Sequence, residues 1–318
     1  MKLSIVATLY QSAPYINEFY ARVSVAAKEL VGEEFELILV NDGSPDNSLD
    51  LAIKLTEQDP HVVVVDLSRN FGHHKAMMTG LAHASGELVF LIDSDLEEEP
   101  EWLPRFYEQM QRENCDVVFG NQQRRKGNWL ERLSGQWFYR LFKALTGIHL
   151  SETATTARLM TQSYVKALIS HEEREVFLAG LWNITGFNQQ PNCVKKHSTS
   201  KTTYSLKKKV SLLTNAVTSF SNKPLVFIFN IGLVITLFSL LYAAYNFLQK
   251  ALYDEVLSGW SSIIISIWLL GGLQISFIGL IGMYLSKVYT ETKKRPYTII
   301  KNIYKRGKAS DEDNKKRK

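Results

Sequence analysis

LIDSDLEEEP, running from Leu91 to Pro100, is the stretch whose reading decides the rest of the chain. It opens apolar and then carries Asp93, Asp95, Glu97, Glu98 and Glu99, five acids within seven residues. Acids suit the first turn of a helix, where the dipole favours negative charge, so one reading is a solvated loop and helix start. The other is a metal site that holds the phosphates of an activated substrate. Asp93 and Asp95 share one side of an extended segment, because side chains two apart share a face. Two carboxylates there suit Mg²⁺ or Mn²⁺, hard cations that take oxygen ligands and share coordination with substrate phosphates. A bare D-x-D pair is a weak motif. It gains weight from the buried strand before it and the helix that begins near Pro100.

The surrounding pattern supplies that context. LSIVATL (Leu3–Leu9), FELILVND (Phe35–Asp42), HVVVVDL (His61–Leu67), ELVFLID (Glu87–Asp93) and CDVVFGN (Cys115–Asn121) are short apolar runs rich in β-formers. Continuous runs of this length fit strands covered on both faces. Helical spacing fills the gaps at 15–30, 48–58, 75–84 and 101–112. Strand–helix alternation predicts an α/β fold with a mostly parallel sheet, whose ligands bind at the carboxyl ends of the strands. VNDGSPDNS and LIDSDLEEEP both fall at such ends.

Beyond about Ser200 the composition changes. TTYSLKKKVSLLTNAVTSFS (Thr202–Ser221) is basic and amphipathic, the signature of a helix lying in a membrane interface. Leu225–Leu248 and Ser261–Leu285 are uncharged apolar runs. Each is long enough to cross the hydrocarbon core, which takes about 20 residues. Lysines cluster outside both runs, at Lys207–Lys209, Lys223, Lys287, Lys293 and Lys294. The positive-inside rule then puts both ends in the cytosol and the short connection outside. The expected divisions are a cytosolic domain over 1–201, a juxtamembrane helix over 202–223, a hairpin over 224–286, and a basic cytosolic tail over 287–318. The net charge of +5 reflects this membrane flanking. No helix-turn-helix, zinc-finger or aromatic–basic pattern points to nucleic acid. Cys115 and Cys193 lack any paired-ligand context and read as reduced thiols. The first residues lack the apolar length and cleavage site of a signal peptide.

Other stretches carry possible chemistry. DLSRNFGHHKAMMTG (Asp66–Gly80) opens a helix with His73, His74 and Lys75, a fit for a phosphate facing a helix N-terminus with a cation beside it. TTARLM (Thr155–Met160) sets Arg158 among apolar residues, where it is either paired or a two-pronged phosphate clamp. Arg124, Arg125 and Lys126 form a basic group past the fifth strand.

Taken in order, VNDGSPDNS, LSRNFGHHKAMMTGL, FLIDSDLEEEPEWL, ARLM and the closing GMYLSKVYTETKKRPYTI resemble the family 2 glycosyltransferases of GT-A fold. Within these the chain looks most like the polyprenyl-phosphate group, the undecaprenyl-phosphate glucosyl- and aminoarabinosyltransferases and dolichol-phosphate mannosyltransferases. The resemblance implies a metal-dependent hexosyltransferase. It would move sugar with inversion from a nucleotide sugar, UDP-glucose by default, to a polyprenyl phosphate for cell-envelope glycan. By matched position Thr8, Leu9 and Tyr10 would lie along the nucleotide, with Asp42, Gly72, Lys75, Asp93 and Ser94 completing its site. Asp93 and Asp95 would hold Mg²⁺ or Mn²⁺, and Arg158 with Arg124 or Arg125 would meet the acceptor phosphate. The resemblance further implies an inner-membrane, multi-pass protein with both termini cytoplasmic, a lipid-bilayer partner, and a homo-oligomer, by analogy a tetramer.

The chain departs from the pattern at Gln11 and Ser12, at Asn41, at Glu97 and Glu98, and above all at Thr156, where an acid often regarded as the base is expected. A phosphate monoester with a second pKa of about 6 is already mostly dianionic, so the acceptor needs orientation more than deprotonation. Glu152 is the nearby candidate replacement. The readings left beside this one are a membrane-anchored family 2 enzyme with another lipid or glycan acceptor, and an inactive scaffold.

Overall fold

The computed structural model describes residues 1–122, 140, 142–147, 153–196, 217–253, 259–306 and 308–309. Arg124, Arg125, Glu152 and residues 202–216 of the expected juxtamembrane helix lie outside them. Two compact units divide the chain. One takes 1–139, 148–204 and 296–318; the other takes 140–147 and 205–295.

The first unit is built on a sheet with nine strands among the described residues. β1 (Leu3–Leu9), α1 (Ile16–Val31), β2 (Phe35–Asn41), α2 (Ser48–Gln58), β3 (Val62–Leu67), α3 (His73–His83), β4 (Leu88–Leu91) and α4 (Trp102–Glu113) alternate as expected. They continue into β5 (Val117–Gln122), β6 (Ala154–Thr161), α5 (Gln162–Ile169), α6 (Leu178–Ile184) and β7 (Gln189–Val194). β1 lies between β2 and β4, and β2 between β1 and β3, all parallel. β1, β2 and β3 are buried over their whole length, which is why their apolar runs show no alternation.

The chain leaves β1 toward β2 on one side and returns to β4 on the other. That reversal opens a crevice at the carboxyl ends of β1 and β4, the place where such sheets take ligands. Close packing of α3 beneath it depends on Gly80, since a Cβ there would collide with Val6 and come within 2.9 Å of Val40.

Beyond β4 the directions change. β6 pairs antiparallel with both β4 and β5, and β7 runs parallel to β5. Direction alone therefore brings the start of β6 and the residues after β7 to the same edge as the tips of β1 and β4.

The other side of the sheet holds a strand that the sequence reading left in the basic tail. β8 (Ile300–Lys305) pairs antiparallel with β3, and β9 (Lys308–Ala309) folds back on β8. Ser68 N–H donates to Ile299 O at 2.9 Å, and the Thr79 and Thr298 hydroxyls meet at 2.8 Å. Residues 287–318 are thus divided. The first few finish a helix of the second unit, and the stretch from 296 belongs to the sheet domain.

The second unit contains α7 (Lys223–Tyr253) and α8 (Trp260–Thr292). The expected spans, 225–248 and 261–285, fall inside these helices. Among the described residues one window, Leu269–Thr292, is long and apolar enough to cross a bilayer, with a mean hydropathy of 1.6. Lys223–Ile235 is a shorter apolar piece.

Candidate functional site

The tips of β1, β2, β3 and β4 are knitted by polar side chains. Asp42, buried just past β2, accepts Phe71 N–H at 2.7 Å and Gly72 N–H at 3.0 Å. Burial raises its pKa even against those two amides. Its role is to fasten the turn that leads into α3, with both carboxylate oxygens occupied. Gly43 makes the turn possible, because at φ +59° its α-carbon lies against the backbone of Arg69 and Asn70 with no room for a side chain. Asn41 supports the same corner through its amide, which donates to Asp66 at 2.8 Å.

Ser12, one of the departures from the expected pattern, is a junction. Its hydroxyl meets Ser94 Oγ at 3.0 Å and accepts Tyr10 N–H at 3.1 Å, while its own N–H donates to Ser48 Oγ at 3.0 Å. Ser94 Oγ in turn donates to Thr8 O at 2.8 Å, tying β1 to the residues after β4. Leu9 is wholly buried and Tyr10 is exposed at the rim. Lys75 lies half-buried in the first turn of α3, where its N–H donates to Gly72 O at 3.0 Å and its carbonyl accepts from the Thr79 hydroxyl at 2.9 Å.

The acidic tip of β4 behaves differently. Asp93 Oδ1 lies 3.2 Å from His73 Nε2, and His73 Nδ1 lies 3.0 Å from Thr8 Oγ1. Burial alone would raise the Asp93 pKa. The histidine, Lys196 and the Thr156 hydroxyl outweigh it, and the net direction is down. Burial pulls His73 down, but Asp93, Asp42 and Asp95 prevail and raise it. Asp95 Oδ1 accepts Glu97 N–H at 3.0 Å. Its pKa is raised by burial and by the neighbouring Asp93 charge. The Asp93 charge thus reaches Asp95, which places the two carboxylates near one another.

Glu98 is fully covered, and its carboxylate accepts Thr156 N–H at 3.0 Å and Ala157 N–H at 2.7 Å. Burial first, then Asp93, pushes its pKa up to about 7. It clips the start of β6 to the acidic loop. Lys196 Nζ sits 3.3 Å from Glu97 and 3.4 Å from Glu98. Burial lowers its pKa, but Glu98, Asp93, Asp95 and Glu97 together raise it. Sequence reasoning missed Lys196, which lies in an unremarkable basic run and reaches the tip only because β7 is parallel to β5. It also missed the Asp93–His73–Thr8 chain, though it had flagged the histidine.

Arg158 takes an unexpected place. It is 2% exposed, donating from Nε to Thr156 O at 3.2 Å and from Nη2 to Thr155 O at 3.3 Å. Its guanidinium carbon lies 3.0 Å from the Trp182 ring centroid. Burial pulls its pKa down to about 9. A guanidinium closed over in this way braces β6 against α6. It does not present a fork to an acceptor phosphate, as the sequence reading had it.

Among the described residues no three His, Cys, Asp or Glu side chains converge as a closed metal cage. The donor set at Asp93 and Asp95 fits a different arrangement. Mg²⁺ is commonly held by one or two carboxylates with substrate phosphates completing its shell. Two hard oxygen donors, both partly exposed, match that requirement.

The sequence matches the family described as Glycosyl transferase family 2 over residues 4–169. A Mycobacterium tuberculosis (strain CDC 1551 / Oshkosh) protein named as a glycosyltransferase is 52% identical over 96% of this chain and 89% of its own length. A protein named bactoprenol glucosyl transferase, from Shigella phage SfV, is 32% identical over 95% of this chain and 99% of its own. Among solved structures, M. tuberculosis glucosyl-3-phosphoglycerate synthase, in complex with Mn²⁺, UDP and phosphoglyceric acid, is 19% identical. It covers 68% of this chain and 76% of its own, with a TM-score of 0.48.

Proposed function

The chain belongs to glycosyl transferase family 2, and from that premise we propose that it transfers a hexose from a UDP-sugar to a polyprenyl phosphate at the cytosolic face of the inner membrane. That it is a glycosyltransferase follows from the family; acceptor, donor and topology are our reading. The observation that carries it is the convergence of Asp93, Asp95, His73 and Lys196 at the β1–β4 crevice.

Asp95, with Asp93 beside it, would hold Mg²⁺ or Mn²⁺, whose chemistry there is to stabilise the leaving diphosphate by several kcal/mol. His73 and Thr8 fix the Asp93 carboxylate, so its orientation is set before substrate arrives. Lys196 balances the acids and offers a cation to the same phosphates. Tyr10, exposed at the rim, is placed to stack on a base. Thr156 stands where an acid was expected and turns its hydroxyl to Asp93. With a dianionic acceptor, the step needs in-line placement more than a base at that position. The relative named bactoprenol glucosyl transferase supports the polyprenyl acceptor, and the apolar window of α8 supports the membrane setting. A second crossing by α7, with both termini cytoplasmic, is part of the same proposal.

The test is direct. Purified full-length protein is incubated with a short polyprenyl phosphate, Mg²⁺ and a panel of nucleotide sugars, and the lipid is extracted. One labelled glycolipid that disappears in Asp95→Asn upholds the reading. Sugar on diacylglycerol instead, or donor binding without transfer, overturns the acceptor or the activity respectively.

A further inference from the structure

His73 can orient Asp93 only while the first turn of α3 keeps its place. The cap residue of that helix, Gly72 at φ +101°, offers no side chain to the first amides. A hold comes instead from one turn further on. Thr79, 3% exposed, donates its hydroxyl to Lys75 O at 2.9 Å. That bond uses the one proton a hydroxyl owns. Where the Thr79 and Thr298 hydroxyls meet at 2.8 Å, Thr298 is therefore the donor. The result is a directed chain from Thr298 through Thr79 to the Lys75 carbonyl, in which each bond polarises the next. The hydroxyl of Tyr297 also comes near Thr79, whose remaining lone pair suits a second donor. A threonine bonded back to the carbonyl four residues earlier bends its helix, so this chain sets the angle of the turn that carries His73.

We propose that Thr298 is a positioning residue for the metal site: acting through Thr79, it holds His73 where the ring can orient Asp93. His73 spans two contacts, Nε2 to Asp93 Oδ1 at 3.2 Å and Nδ1 to Thr8 Oγ1 at 3.0 Å, so a tilt of the first turn lengthens one or the other. His74 gives the same turn a further hold. Its Nδ1 donates to Val176 O at 3.3 Å, and its ring meets Phe177 edge-on. The segment around Thr298 keeps its place in the sheet without that hydroxyl. Ser68 N–H donates to Ile299 O at 2.9 Å, and Leu67 pairs with Ile300. Thr298 lies between Thr292, the end of α8, and Ile300, the start of β8, a stretch that sequence reasoning assigned to a basic tail. The inference rests on the reading of Asp93 as a metal ligand, but not on the acceptor.

The experiment titrates the full chain with Mn²⁺ in the presence of UDP and follows the free ion by electron paramagnetic resonance. Thr298→Val should weaken Mn²⁺ affinity roughly fivefold, the worth of one neutral hydrogen bond carried to the site. Thr298→Ala should match it, and Thr298→Ser should restore the wild-type value. His73→Ala should weaken affinity by itself, and adding Thr298→Val to it should change nothing further. Unchanged affinity in both Thr298→Val and Thr298→Ala overturns the inference. An equal further loss in the His73→Ala background also overturns it, because that is the mark of a bond that acts on the fold and not through His73. No Mn²⁺ uptake by wild type overturns it together with the metal reading. Uptake with the expected coupling, in a protein that transfers no sugar, upholds the inference and overturns the proposed function instead.

Discussion

Two strand ends in this sheet are rich in acid, and they use it in opposite ways. Past β2, Asp42 gives both oxygens to backbone amides, and Asp46 accepts from Ser44, Ser48 and Ala13. These carboxylates are fasteners. Past β4, Asp93 and Asp95 lie near one another with only partial hydrogen bonding, and the balance comes from His73 and Lys196. The difference shows what to look for in an acidic loop. An acid that satisfies amides builds the fold, and an acid balanced by side-chain cations leaves charge that a ligand can claim.

The largest effect should come from the β4 tip. Asp95→Asn is expected to lower transfer roughly 100- to 1,000-fold, by loss of leaving-group stabilisation, with little change in melting temperature. Assay and calorimetry on the same sample check it, and near-normal transfer would collapse the distinction between the two loops. Asp42→Ala tests the other side. It strands two amides and should cost about 3 kcal/mol in urea unfolding, while activity per folded molecule falls far less than in Asp95→Asn. A catalytic loss as large as that of Asp95→Asn, without destabilisation, would make Asp42 a ligand contact after all.

Lys196→Met should raise the KM for the nucleotide sugar about tenfold, the loss of one charge-assisted contact, whereas Lys196→Arg should keep most of the affinity. A KM unchanged in the methionine variant would make Lys196 a purely structural counter-ion. The smallest effect is a pH dependence in the β2 loop. Hydrogen bonds from serines and amides overcome burial and hold Asp46 at a pKa of about 2, below its unfolded value. Its contribution is therefore present above pH ~4 and is lost as pH falls toward 2. Because the group is largely wet, the change should stay under about 1 kcal/mol. Asp46→Asn should flatten stability over that window alone.

The fold was legible where burial wrote a simple code. Val62–Val65 can be little other than a strand covered on both sides, and the alternation through α4 follows from it. The D-x-D tip was legible because it combines residue type with position at a strand end. Lys196 was not, since nothing local marks a lysine after β7 as the partner of acids after β4; strand direction alone joins them. β6 was read as a motif around Arg158 rather than as a strand, and so the burial of that arginine against Trp182 was invisible. β8 was hidden by its lysines, which mimic a solvated tail.

That late strand has a consequence for how the protein is made and cut. Everything at the acidic tip has been synthesised by Lys196, yet β3 acquires its outer neighbour only after the ribosome has passed both long helices and reached Ile300. A gene truncated before Pro296 to yield a water-soluble catalytic fragment would therefore leave a raw edge beside β3, open to pairing with a second molecule. Excising the helices and splicing Pro296 onward back to the domain is the more rational fragment.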